Sequence, residues 1–263
     1  MTDLYPDKNT VASLNNADWA WEFLRRNPDY QRDYRLSRAH LLTVIAHVSG
    51  IKFLRIRRQC PFAEKWGLLH MFNPNLSSNI AHIAWHSDSV SWAVEAEANA
   101  TSQSVENIDF DIRTARFDRF FLIIGPALQN LYMRIGLHSS CLKVSGDSVL
   151  FHPVRMRFFI DGLDQVRSAM AALEVVRAVK KRVKLPKKQL PYVTQLRRLK
   201  YLIAAEKAIK GSFLRDIGAT IYGSKRTETE WKNLDSRTFK DEIIRAKRKG
   251  LYLLNGGYRE FLN

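Results

Sequence analysis

The sequence predicts an α+β chain, with a small N-terminal helical and β region followed by an all-α C-terminal domain built around an extended-turn helix-turn-helix. Three observations carry this prediction. After Asp161-Gly162, apolar residues recur at three- and four-residue steps almost to the end, which is the helical period. Between 110 and 160 the chain is a series of short branched or aromatic runs, RFFLIIG, LYMRIG, SCLKVSG, SVLFH and VRMRFFI, punctuated by Gly125, Gly136, Gly146-Asp147 and Pro153. Charge divides the chain at the same place: residues 1–160 hold 18 basic and 15 acidic side chains, and residues 161–263 hold 24 and 11.

Taken in order, DWAWEFLRRNPDYQRDYRLSR reads as a helix capped by Asp18, a break before Pro28, and a second helix beyond it. Trp19, Phe23, Tyr30 and Tyr34 give it an aromatic face, which serves either as core or as a docking surface for another domain or chain. Residues 40–100 fit neither the helical nor the strand period cleanly, and 101–109 is a polar loop. The runs of 110–160 read as a small antiparallel sheet, in which Arg155 and Arg157 alternate with Val154, Met156 and Phe158. The division by sequence is therefore 1–100, a helical regulatory or docking domain; 110–160, the sheet; and 161–263, the helix-turn-helix domain.

In that last segment, Leu163, Val166, Met170, Leu173, Val176 and Val179 mark a helix that runs into the basic KKRVK and stops before Pro186. LPKKQLP is a linker. A second helix carries Leu196, Leu199, Leu202, Ile203 and Ile209 and ends at Gly211. Ser212 is placed to cap a third, with Phe213, Ile217 and Ile221 on one stripe and Gly223 at its end. Thr227 and Glu230 have capping-box spacing, but Trp231 and Leu234 do not align with the later stripe of Phe239, Ile243 and Ala246. The mismatch predicts a brief turn at 228–234 and a fresh helix, capped by Asp235 or Ser236, that reaches about Lys249.

The net charge of +16 favours polyanions, nucleic acid before an anionic membrane, and the C-terminal segment carries most of it. Helices 212–222 and 236–249, with GSKRTETEWKNLD between them, form the helix pair, the second of which would lie in a major groove. On its apolar-free side stand Arg237 and Arg248 and, less squarely, Lys240 and Arg245, with Asp241 among them; Lys225 and Arg226 in the long turn are placed to touch phosphates. No cofactor or metal is expected. His82 and His86 have i,i+4 spacing but no third ligand, and Asp109 and Asp111 flank Phe110 in no nuclease pattern. No Walker loop, GxSxG or GxGxxG occurs, so no catalytic residue and no enzyme is expected. Two cysteines make no disulfide framework, no secretory signal is visible, and the apolar runs are too short to span a bilayer, so a cytoplasmic protein with no membrane partner is expected. A regulator that sequesters another protein without touching DNA is the alternative reading.

DWAWEFLRRNPDYQRDY resembles the opening of a small N-terminal domain of proteobacterial regulators on mobile elements. The tail, VRMRFFIDGLDQVRSAMAAL through EWKNLDSRTFKDEIIRAKRKG to LNGGYREFL, resembles a domain that often accompanies it. Together they look like the FseA-type activators of excision and transfer of integrative and conjugative elements, whose single-domain relatives, of the QseM type, are antiactivators. The resemblance implies a nucleoid-associated activator that binds double-stranded promoter DNA, an antiactivator paralogue as partner at the N-terminal domain, and RNA polymerase as a further partner. It implies a DNA role for Lys225, Arg226, Lys232, Arg237 and Lys240, and a docking role for Trp19, Trp21, Phe23 and Tyr34. The antiactivators carry an acidic surface where this chain is basic, which favours the activator.

Overall fold

The computed structural model describes residues 8–37, 44–46, 52–55, 60–81, 83–101, 109–111, 119–124, 128–181, 183–185, 190–233 and 237–263. His82, Pro186, Leu234, Asp235 and Ser236, which figure in the sequence expectations, lie outside these residues. Among the described residues the elements are α1 (Lys8–Ser13), α2 (Asn16–Leu24), α3 (Pro28–Leu36), β1 (Val44–Ala46), β2 (Lys52–Arg55), α4 (Pro61–Lys65), β3 (Ala93–Ala100), β4 (Arg119–Ile124), β5 (Gln129–Ile135), β6 (His138–Gly146), β7 (Val154–Phe159), α5 (Val166–Lys181), α6 (Tyr192–Ile209), α7 (Leu214–Tyr222), α8 (Ser224–Lys232) and α9 (Arg237–Leu254). Mixed α+β architecture is as the sequence predicts.

Two compact units result, and they do not follow the three sequence segments. The helical unit takes the described residues of Met1–Arg32, Pro74–Asn79 and Gln189–Phe261; the sheet unit takes those of Asp33–Asn73, Ile80–Lys188 and Leu262–Asn263. The first helices therefore belong with the last ones.

The sheet is larger than expected and is mixed. Its order is β1-β2-β4-β5-β6-β3-β7, with β2–β4 and β3–β6 parallel and the other pairs antiparallel. Strand β3 comes from the stretch that fitted neither period. Val94, Ala96 and Ala98 point inward, and Glu95, Glu97 and Asn99 alternate outward. Helix α5 covers one face of the sheet, where Ala169, Ala172, Val175, Val176 and Val179 join Leu131, Met133, Leu142, Val144, Val154 and Met156 in one core. Leu163 and Met170, expected on the inner stripe, are exposed instead. Small side chains make this contact because they let a helix lie close on a pleated surface.

Three caps also differ from expectation. Helix α2 is capped by Asn15, whose side chain accepts the Asp18 N–H while Asp18 accepts the Asn15 N–H, a reciprocal capping box. Phe213, not Ser212, precedes α7 and makes no side-chain cap. The expected turn at 228–234 is largely helix α8, so Thr227, expected as a cap, is a buried mid-helix residue.

Candidate nucleic-acid interface

Helices α6 to α9 enclose a small core of Ala204, Ile217, Phe239, Ile243 and Ala246, edged by Tyr201, Leu214, Ile221, Tyr222 and Trp231. Two glycines set its geometry. Gly223 has φ +89°, a conformation L side chains rarely adopt, and turns the chain from α7 straight into α8. Gly250 lets α9 cross α6 closely: a Cβ there would lie 2.2 Å from the Tyr201 carbonyl oxygen.

The N-terminal helices brace this bundle with buried polar bonds. Arg26 donates to Glu22 at 2.6 Å and to Glu206 of α6 at 3.1 Å, while Lys210 reaches the other Glu206 oxygen at 2.7 Å. Asn27 donates to the Leu254 carbonyl at the end of α9 at 2.8 Å and accepts the N–H groups of Asp29 and Tyr30 at the start of α3. The Trp19 indole N–H donates to Gln195, whose amide in turn donates to the Leu14 carbonyl. Each bond satisfies a group that would otherwise be buried unpaired.

With α9 held this way, its two sides differ in kind. Phe239, Ile243, Ala246, Gly250, Leu253 and Leu254 are buried, and Arg237, Arg245 and Arg248 are exposed with Asp241 between them. Helix α8 exposes Lys225 and Arg226 in its first turn and Lys232 in its last. Lys225, Lys232, Arg237 and Arg248 form no ion pair among the described residues, and no acidic side chain stands in the first turn of α8. Lys240 differs from the rest, being half-buried with its ammonium 5.3 Å above the Trp231 ring.

A polar clamp missed by the sequence reading fixes α7, α9 and α6 together. The Tyr222 hydroxyl donates to Glu242 at 2.5 Å and Lys200 lies 3.3 Å from the same carboxylate. Burial and the Glu242 hydrogen bond push the Tyr222 phenol up, whereas Tyr222 and Lys200 hold the Glu242 carboxyl below its ordinary value. Arg226 stacks 5.2 Å from Tyr222 and 5.7 Å from Phe239, so its exposed guanidinium rests on an aromatic shelf. None of Lys200, Tyr222 and Glu242 has a sequence signal, because the contact joins residues 20 to 42 positions apart.

Of the four aromatic residues with an expected interdomain or partner docking role, three lie inside the helical unit, where Trp19 and Phe23 face Gln195 and Phe261 of the C-terminal segment. Trp19, Trp21 and Phe23 are fully buried in the helical unit; Phe23 meets Phe261 at 5.9 Å and Trp21 meets Tyr30 edge-on at 5.6 Å. Tyr34 alone of the four retains partial exposure. Asp109 is structural, accepting the Met156 N–H at 3.0 Å and Lys180 at 2.9 Å. Among the described residues no three His, Cys, Asp or Glu side chains gather as metal ligands, and no helix is long and apolar enough to cross a membrane.

An exposed basic helix backed by a braced bundle is the form of a nucleic-acid reader, and the comparisons with known families agree. Residues 159–263 match the family model described as a T6SS transcription factor DNA-binding domain, and residues 5–70 match that of a proteobacterial transcriptional regulator-like domain. No curated protein matches the chain. The two family matches together support a DNA-binding transcription regulator.

Proposed function

We propose that this protein activates transcription from a promoter controlling excision and conjugative transfer of a mobile element. Helix α9 enters the major groove, and the start of α8 holds the flanking phosphates. The observation that carries the DNA-reading part is the division of α9 into a buried apolar side and an exposed side bearing Arg237, Arg245 and Arg248. A groove roughly 12 Å wide admits such a helix, and an arginine fork matches the O6 and N7 of guanine. Lys225, Arg226 and Lys232 act as phosphate contacts, with Arg226 pre-oriented by its aromatic shelf. Activity in excision and transfer rests on the resemblance to FseA-type activators. An antiactivator paralogue and RNA polymerase are then its protein partners, and the nucleoid is its place of action.

The test begins with DNA selected from a randomised pool by the full-length protein. Arg237→Gln and Arg248→Gln should each weaken binding to that site by about 1 to 3 kcal/mol and relax the base preference at one position. Lys225→Gln should weaken all sequences alike. Unchanged binding by the Arg237/Arg248 double variant would remove α9 as the reader. A protein that selects no sequence yet holds a partner regulator would support the sequestering alternative. Raised expression of the protein in its host should increase the excised, circular form of the element, scored by amplification across the rejoined ends.

A further inference from the structure

The densest positive run of the chain lies outside α7 to α9. From Arg177 to Lys188, seven of twelve residues are Lys or Arg and none is Asp or Glu. The run begins on the last turns of α5, in the sheet unit. Because α5 buries Ala172, Val175, Val176 and Val179 against the sheet, the outward direction of the remaining side chains is fixed. Arg177, Lys180, Lys181 and Lys184 are all exposed.

The backbone that bears them is anchored at both ends. The Val183 N–H closes on the Ala178 carbonyl at 3.0 Å, a six-to-one bond that terminates the helix, and Leu185 packs onto the sheet core. Lys184 is therefore held between two fixed points. One or two cations in a last turn complement the helix dipole, and Lys180 is taken by Asp109 at 2.9 Å. Arg177, Lys181 and Lys184 have no such partner among the described residues. Glu174, one turn before Arg177, makes no ion pair with it. Arg177 and Lys181 are four residues apart on one face, a like-charge spacing that destabilises a helix unless an external anion lies over it.

We propose that the end of α5 is a second contact to duplex DNA, in which Arg177, Lys181 and Lys184 hold backbone phosphates on the unit that does not carry α7 to α9. The inference rests on the DNA-binding reading above. Duplex DNA is the fitting polyanion because the segment matched by the DNA-binding family model, 159–263, includes this helix. Two of the three cations are lysines, which neutralise phosphate as point charges and carry little base information. The contact therefore adds affinity and steep salt dependence while leaving sequence choice to α9.

The experiment compares the full-length protein with the Arg177→Gln/Lys181→Gln/Lys184→Gln variant on a mixed-sequence duplex of about 30 base pairs, by fluorescence anisotropy across a salt series. Removing three phosphate contacts should lower the log–log salt slope by about 2 to 3 units and weaken binding roughly a hundredfold near 0.15 M salt. The ratio of selected-site to mixed-sequence affinity should stay unchanged. Loss of a like-charge pair should leave the melting temperature level or raised, so a weaker complex cannot be put down to unfolding. The control is Arg155→Gln/Arg157→Gln, which removes exposed charge from β7 in the same unit and should leave the slope intact. An unchanged slope in the triple variant, an equal loss per charge in the control, or a collapsed specificity ratio would each overturn the inference. Wild-type protein that binds no duplex would instead overturn the DNA-binding reading itself.

Discussion

Glu22 is 2% exposed and sits between Arg25 at 2.8 Å and Arg26 at 2.6 Å, and it also accepts the Ser78 N–H at 2.9 Å. Burial alone would raise its pKa, but the two guanidiniums and the backbone donor outweigh that and hold it below the ordinary 4.5. A carboxyl depressed in the folded state contributes stability that is complete above its unfolded value and disappears as pH falls through the folded one. Glu22→Gln should therefore cost about 3 kcal/mol near neutral pH, since it leaves Arg26 buried with Glu206 as its one remaining carboxylate. In urea titrations the gap between wild type and variant should be constant above about pH 5 and narrow steadily below it. A gap that persisted undiminished well below pH 4.5 would mean that Glu22 is not ionised in the fold. The individual residues of the interface were partly legible. Arg237, Arg245 and Arg248 follow from helical phase alone, because exposure on an amphipathic helix is a local property. Lys240, less squarely on the exposed side by phase, is half-buried over Trp231, a contact that depends on how α8 returns against α9.

Between elements, the closest approach in the helical unit is that of α9 to α6 at Gly250. An alanine would ordinarily favour a helix interior over glycine by roughly 1 kcal/mol. At this position the added Cβ meets backbone, the Tyr201 carbonyl oxygen at 2.2 Å, which cannot rotate away. Gly250→Ala should then destabilise the protein by about 1 to 3 kcal/mol by thermal unfolding, opposite in sign to its propensity. Helix α9, with a clear apolar stripe, was readable from sequence, and α6 was placed along the chain, though Leu202 to Glu206 are buried consecutively and Ile209 is exposed. Helix α8 was not, because only Thr227 and Trp231 face inward in SKRTETEWK, too few to set a period; tertiary packing and the Gly223 turn make it a helix. Strand β3 hid for a related reason. AVEAEANA alternates strictly, but its inward residues are mostly alanine, which carries little hydrophobic contrast and no strand preference. Helix α5 was placed correctly along the chain but rotated, since Leu163 and Met170 outweigh the alanines in any apolar count.

At the level of the whole molecule, the aromatic face of the first helices reads from sequence as core or as a docking surface for another domain, but nothing local records that the last helices are what covers it. Helix α2 packs on α6, α9 and the 3-10 turn at Gly257–Phe261, burying Trp19, Phe23 and Leu24 completely. Each such side chain contributes roughly 2 to 3 kcal/mol by leaving water, and Val11 and Leu14 of the same region are also fully buried. The sum is comparable to the entire stability of a typical domain, about 5 to 15 kcal/mol. A fragment of residues 159–263, though it spans the whole DNA-binding family match, therefore lacks part of its own core. It should show helical circular dichroism without a cooperative melt, and its amides should exchange without protection. Adding a peptide of residues 8–37 should restore both the transition and DNA binding, because the buried Glu22–Arg26–Glu206 network and the Asn27 bond to Leu254 re-form with it. If the fragment alone melted cooperatively within a few degrees of the full chain, the N-terminal helices would be a dispensable cover rather than part of the DNA-binding unit.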